Sequence, residues 1–335
     1  MPLILEPLRI GKMFLNNRLV MSPMYSAKAE IDGKTGQALL DYYAEKSHGG
    51  YIGLIIIEHN YVSQEGKSNK NQMSIADDSV IEGLKKLANL IHSNGSKVIL
   101  QINHAGSAAL KEIIGTVPVA PSAVTHPRKK NEAPNELSRE EISKVVTQFK
   151  KAAERVKNAG FDGVEIHSAH GFLLNQFLSP LTNKRNDEYG GSVYKRIRIH
   201  LEIIEAVRKT VGRKFPIFLR LAGSDYIEGG ITLNNSLIAA REFEKAGVDI
   251  LDISGGFCGY TVPEIIGHQG FFSPITEAIK RQVSIPIILT GGITKAKAAE
   301  QLLIDGKADL IGVGRAILEN SNWAKHTIEY FKYRK

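Results

Sequence analysis

The chain has 335 residues, 43% of them hydrophobic, which is enough to bury a large core without disulfide or metal staples. Its net charge of +8 is scattered (Lys85-Lys86, Arg128-Lys129-Lys130, Lys150-Lys151) rather than laid out as an aromatic-interleaved basic stripe, which speaks against nucleic acid and suits an anionic small ligand. The single cysteine, Cys258, excludes a disulfide framework and a thiolate-held iron–sulfur cluster, and no apolar run approaches the roughly 20 residues of a membrane helix.

Met1 to Arg18 is interrupted by Glu6, Pro7, Arg9 and Lys12, so it does not read as a secretory signal, and a cytoplasmic location without membrane contact is expected. Eight short apolar runs follow in series: Leu19-Val20-Met21, Gly53 to Ile57, Lys97 to Ile102, Gly163 to Ile166, Pro216 to Leu221, Asp249 to Ile253, Pro286 to Leu289 and Asp309 to Val313. They are dense in Ile, Val and Leu rather than alternating, as strands covered on both faces are. Amphipathic stretches separate them, such as Ile81-Leu84-Leu87-Ala88-Ile91, Leu233 to Ala246 and Ala296 to Leu303, and a last helix is expected near Ala316 to Phe331. Gly95, Gly160, Gly247 and Gly306 stand where left-handed helix caps are expected.

An uninterrupted series of eight β-then-α units predicts a single (β/α)8 TIM barrel spanning 1–335, not an open doubly wound sheet, and no GxGxxG fingerprint follows the first strand. Between Ala105 and Leu137 the prolines Pro118, Pro121, Pro127 and Pro134 predict an irregular surface excursion.

In this fold the chemistry lies at the carboxyl ends of the strands. Those ends carry Ser22-Pro23-Met24-Tyr25, Glu58-His59, Gln101 with Asn103-His104, His167 and His170, Arg220, Ser254-Gly255-Gly256, Thr290-Gly291-Gly292 and Gly312-Val313-Gly314-Arg315. Glycine turns after both of the last two strands predict a nest of backbone N–H groups for a phosphate, with Arg315 adding a charge-assisted contact. A metal site built on the histidines fits poorly, because the fifth strand aims Arg220 at the mouth, where a guanidinium beside a dication is costly. A phosphorylated flavin fits better. Gln101 can donate and accept along a pyrimidine edge, Arg220 can face the negative charge of a reduced ring, and His167 with His170 can hold a substrate oxygen.

These residues resemble the old yellow enzyme family of FMN-dependent NAD(P)H oxidoreductases, along nearly the whole chain. The resemblance runs through Leu5-Glu6-Pro7-Leu8, Asn17-Arg18, Ser22-Pro23-Met24, Gln101 with His104-Ala105-Gly106, and Ala120-Pro121-Ser122. It is most specific from His167-Ser168-Ala169-His170-Gly171 through Phe177-Leu178-Ser179-Pro180 to Arg185 and Asp187-Glu188-Tyr189-Gly190-Gly191-Ser192, and it ends on Arg220, Gly291-Gly292 and Gly314-Arg315. The resemblance is to the family's short bacterial branch. It implies FMN at the barrel mouth, held by Ser22, Pro23, Met24, His59, Gln101, Arg220, Gly291, Gly292, Gly314 and Arg315. It also implies NADH or NADPH as reductant and a small-molecule electron acceptor held by His167 and His170. A homo-oligomer is compatible with it, although the tail lacks the aromatic–arginine ending that some relatives insert into a neighbouring subunit.

Three positions depart from the family pattern. The usual proton-donating tyrosine two residues after the second histidine is here Phe172. Tyr25 stands where relatives carry Cys or Thr, and is the substitute donor expected from its place at the first strand end. His59 stands where a small residue is usual. The leading expectation is an ene-reductase that delivers hydride to an activated alkene. The alternative keeps FMN but uses quinone, nitro or flavin acceptors, which need no proton at carbon. An RNA-modifying dihydrouridine synthase would need an acidic cysteine near the third strand, whereas Cys258 follows the sixth.

Overall fold

The eight apolar runs become the staves of a closed, all-parallel barrel. In the computed structural model, which describes residues 1–129, 132–262 and 265–333, these strands are β3 (Leu19–Met21), β4 (Leu54–Tyr61), β5 (Lys97–Asn103), β8 (Gly163–Ser168), β9 (Ile217–Ala222), β10 (Ile250–Ser254), β11 (Ile287–Leu289) and β12 (Leu310–Val313). Each pairs with the next in chain order, and β12 pairs back onto β3. Each is buried along nearly its whole length, because barrel and helices cover both faces.

The covering helices are α1 (Gln37–Ser47), α2 (Ile81–Ser93), α4 (Arg139–Asn158), α7 (Arg198–Val211), α8 (Leu233–Ala246), α9 (Ser273–Lys280) and α10 (Ala296–Ile304), with the short α3 (Lys111–Ile114), α5 (Leu173–Leu178), α6 (Val193–Arg196) and α11 (Arg315–Glu319) and the terminal α12 (Trp323–Tyr333). The periodicity seen in sequence is the buried face in space: α2 buries Leu84, Leu87, Ala88 and Ile91. The four glycines expected to end helices all have positive φ, from +66° at Gly306 to +105° at Gly247. Serine 138 and Glu141 close a reciprocal capping box at the start of α4. No helix among the described residues is long and apolar enough to cross a membrane.

Two features depart from the sequence reading. The expected last helix is split, because Asn320 turns extended (φ −140°, ψ 100°) and its side chain accepts from the Asn322 N–H to begin α12 afresh. A hairpin of β1 (Leu8–Ile10) and β2 (Met13–Leu15), which no pattern announced, packs Ile10, Met13 and Leu15 against the barrel interior. The excursion after β5 contains α3 and a two-residue pairing of β6 (Val119–Ala120) with β7 (Asn135–Glu136). Its Lys130 and Asn131 lie outside the described residues.

The barrel interior changes character along its axis. One layer is apolar: Val20, Leu54, Ile56, Ile99, Phe218, Ile250, Ile288 and Leu310 pack with the hairpin. Two residues further along a strand the side chain returns to the same face. The next interior layer is therefore Ser22, Gln101, Arg220, Asp252, Thr290 and Gly312, polar or small throughout. Apolar packing closes one end of the barrel, and the site is built directly on top of it.

Candidate active site

A cavity of about 550 Å³ opens at the carboxyl ends of the strands. Every residue expected at the site lines it: Ser22, Pro23, Met24, Tyr25, His59, Gln101, His167, His170, Arg220, Gly291, Gly292, Gly314 and Arg315. The lining also includes Arg128, Phe172, Ser254, Gly259, Tyr260, Phe272 and Thr290, and contains no carboxylate.

β8 delivers the histidines. Glu165 and His167 share its inward face, and His167 pairs in register with Arg220 of β9, which pairs in turn with Asp252 of β10. The chain then turns back sharply: His170 adopts φ +60°, unusual for a residue with a side chain, and its N–H donates to the Gly255 carbonyl at 3.1 Å. This strained turn sets the His170 ring edge-on to His167, with centroids 5.0 Å apart and planes at 83°. Nε2 of His170 lies 2.7 Å from the Ser254 hydroxyl.

Burial, first of all, holds both imidazoles well below the ordinary histidine range. For His167 the neighbouring His170 and then Arg220 add to it, and for His170 Arg220 and then His59 do so. Both rings are therefore neutral at physiological pH, and each offers one N–H donor. His167 Nδ1 and the Ser22 hydroxyl are buried without a hydrogen-bond partner among the described residues.

Beneath the histidines lies a buried acid pair. Glu165 accepts from Gln101 Nε2 at 2.7 Å, and Asp252 approaches Arg220 Nε at 3.2 Å without the alignment of a hydrogen bond. Burial, and then the nearby Asp252, pushes the Glu165 carboxyl up; burial also raises Asp252, against the opposing pull of Arg220. Glu58, under the first two strand ends, accepts from the Ser26 N–H at 2.9 Å and is pushed up to about 7 by burial. Burial and Glu58 together raise the Tyr25 phenol, so it keeps its proton.

The opposite side of the mouth is built from glycine. Gly291 and Gly292 have φ of +113° and +68°, and a Cβ on either would come within about 3.0 Å of Phe271. A Cβ on Gly314 would lie 2.7 Å from the Met24 sulfur. The N–H groups of Gly291, Gly292 and Gly314 meet no backbone acceptor among the described residues.

The family model described as NADH:flavin oxidoreductase / NADH oxidase matches residues 3–332. The chain belongs to that family. Within it, the chain is 39% identical to the NADH oxidase of Thermoanaerobacter brockii over 333 residues, 96% of this chain but 50% of that protein. It thus spans about half the length of that relative. It is 38% identical to the NADPH dehydrogenase of Geobacillus sp. (strain WCH70), covering 96% of this chain and 92% of that one. The structure of the old yellow enzyme homologue from Zymomonas mobilis superposes with a TM-score of 0.84 at 28% identity, over 99% of this chain and 93% of that chain. FMN is the family's cofactor, and the cavity suits it: three guanidinium groups and no carboxylate in the lining, a glycine wall that admits no side chain, and three buried polar atoms, Ser22 Oγ, His167 Nδ1 and Arg220 Nε, without hydrogen-bond partners among the described residues. Among the described residues no three His, Cys, Asp or Glu side chains converge as metal ligands.

Sequence reasoning overlooked four groups. Glu165 and Asp252 each announce themselves as an acid inside an apolar strand, Val-Glu-Ile and Leu-Asp-Ile. Arg128 and Tyr260 carry no such signal, because they reach the mouth from irregular loops whose path has no period.

Proposed function

We propose that this chain is an FMN-dependent NAD(P)H oxidoreductase of the ene-reductase type, acting on alkenes conjugated to a carbonyl or similar oxygen. One observation carries the reading: two neutral imidazoles, His167 and His170, set edge-on to one another at the end of β8 beside Arg220. Bound FMN would supply the hydride relay between NAD(P)H and the acceptor. The protein's residues do the rest. The N–H groups of Gly291, Gly292 and Gly314 with Arg315 hold the phosphate. Gln101 and Arg220 meet the ring, and the Glu165–Asp252 pair beneath keeps both from turning away. His167 and His170 donate to the acceptor's oxygen and stabilise the negative charge that grows there.

A second reading has its own support. Phe172, 5.1 Å from the His167 ring, is carbon where proton delivery to an alkene wants an acid, and it packs against an apolar cluster of Ala105, Ala108, Ala109 and Ile114. Acceptors reduced without carbon protonation, such as quinones, nitro compounds or other flavins, fit that wall better.

The purified holoenzyme, reduced anaerobically with NADH or NADPH, is mixed with cyclohex-2-enone and separately with a benzoquinone. Formation of cyclohexanone at catalytic rates is the result expected. Fast quinone reduction with no cyclohexanone would replace the first reading by the second, and a protein that retains no FMN would overturn both.

A further inference from the structure

Two of the three cavity arginines have work in that reading, and the third does not. Arg220 lies against Asp252, and Arg315 follows β12 on the glycine wall. Arg128 comes from the excursion after β5, is exposed, and its guanidinium has no ion pair or hydrogen bond among the described residues. Its guanidinium lies against Gly259 in the loop after β10, whereas Arg315 follows β12, two staves further round the ring.

An exposed arginine is usually just solvated, but this one is placed. His126 is buried and neutral, its imidazole held down to about 4 by burial and by Lys129. Its Nδ1 accepts from the Arg128 N–H at 3.1 Å, which fixes the proton on Nε2, and Nε2 donates to the Gly171 carbonyl at 3.1 Å. Phe257 packs edge-on against the same ring at 5.2 Å. His126 thus ties the excursion to the strained turn that carries His170. Gly171 must be glycine for this, since a Cβ there would lie 2.7 Å from Nε2.

The guanidinium also has a prepared bed. A Cβ on Gly259 would fall 2.3 Å from Arg128 Nη1, so the side chain lies directly on backbone. The next residue, Tyr260, is 65% exposed and faces the His170 ring edge-on at 6.3 Å. A molecule whose oxygen sits on the histidine pair would reach outward between Tyr260 and Arg128.

We propose that Arg128 is the recognition residue for an anionic group, a carboxylate or a phosphate, on the molecule that occupies the cavity over His167 and His170. The proposal rests on the reading of that cavity as the acceptor site. The anion could belong to an acid-bearing acceptor or to the phosphate that distinguishes NADPH from NADH, and the test separates the two.

Holoenzyme and its Arg128→Gln variant are titrated by calorimetry with phenol and with 4-hydroxybenzoate, which share a ring hydroxyl and differ by a carboxylate. The variant is expected to lose about tenfold in affinity for 4-hydroxybenzoate and to bind phenol unchanged. In the kinetic arms, KM for a carboxylate-bearing cyclohexenone is compared with that for cyclohexenone at fixed NADH, and KM for NADPH with that for NADH at fixed cyclohexenone. A rise confined to the first pair assigns the anion to the acceptor, and one confined to the second assigns it to the nucleotide. Equal changes for anionic and neutral partners in every arm overturn the proposal. Phenol binding and neutral-enone turnover report on the acceptor site alone, so failure of that reading would show in wild type, whereas failure of this one shows as an unchanged ratio. Should Arg128→Gln not fold, Arg128→Lys serves instead: its preference for 4-hydroxybenzoate over phenol must fall as salt rises, and a salt-independent preference overturns the proposal.

Discussion

His59 lies against Phe172, with ring centroids 5.4 Å apart and planes tilted by 33°. These are two of the three positions that depart from the family pattern, and the structure makes them one feature. The Tyr25 ring stands 5.7 Å from His59 as well, so the third departure joins the same cluster. Burial, then Lys129, holds the His59 imidazole down to about 4, and the ring is neutral bulk rather than a cation.

His59→Ala removes that bulk. Catalytic efficiency for 3-substituted cyclohexenones should then rise several-fold relative to unsubstituted cyclohexenone, because the space opens where the substituent would press. An unchanged ratio of kcat/KM between bulky and small acceptors would show that the His59–Phe172 wall does not limit the pocket.

For the histidine pair the expectation is a loss of binding. His167→Ala and His170→Ala should each weaken phenol by about 1–3 kcal/mol, the cost of one lost donor at a buried oxygen. Both rings are already neutral, so in wild type the affinity should show no inflection near pH 6.5, the ordinary histidine value. Titration of phenol from pH 5.5 to pH 7.5 checks both points. An inflection in that range that persists in Glu58→Gln, or full affinity in both histidine variants, would return the pair to a structural role.

Glu165 yields a stability prediction with a definite sign. Its carboxyl is raised by burial and by Asp252, so the folded protein keeps the proton to higher pH than the unfolded chain does. Stability from this group is therefore full at low pH and falls as pH rises above the ordinary carboxyl value of 4.5. The slope is at most about 1.4 kcal/mol per pH unit until the folded carboxyl ionises. Glu165→Gln removes the titration and keeps an oxygen for Gln101. The variant's melting temperature, measured with excess FMN, should match wild type near pH 4.5 and exceed it increasingly towards pH 7. A difference that stays flat with pH would mean the acid is not protonated in the folded protein.

Much of this architecture was legible from residue patterns because burial imposes period. Strands covered on both faces read as unbroken Ile-Val-Leu runs, which is why all eight staves lie where the runs are. The mouth residues were legible for a related reason: once strand ends are located, Gln101, His167, Arg220 and Gly291 follow from position alone. The hairpin under the barrel was not, since three-residue strands such as Leu8–Ile10 are too short to show alternation. Nor was the rim. Arg128 is anchored through His126, which bonds the Gly171 carbonyl 45 residues away, and Tyr260 comes from the irregular loop after β10, and neither placement leaves a local pattern.

Phe172 decides the last expectation. Hydride delivery to an alkene leaves a carbanion-like α-carbon, and a positioned acid typically contributes about 10²–10⁴-fold to its protonation. Phe172 has no proton to give, and its neighbours His59 and His167 are neutral imidazoles. Tyr25 lines the same cavity, is 37% exposed, and keeps its phenolic proton because burial and Glu58 raise its pKa. Quinone reduction should therefore outpace cyclohexenone reduction in wild type. Phe172→Tyr should raise enone turnover while leaving flavin reduction by NAD(P)H nearly unchanged. Tyr25→Phe should lower whatever enone turnover wild type shows and leave quinone turnover intact. Stopped-flow measurement of the two half-reactions in each variant separates these effects. If wild-type enone turnover is fast and neither substitution alters it, the proton comes from water, and the assignment of Tyr25 as donor is wrong.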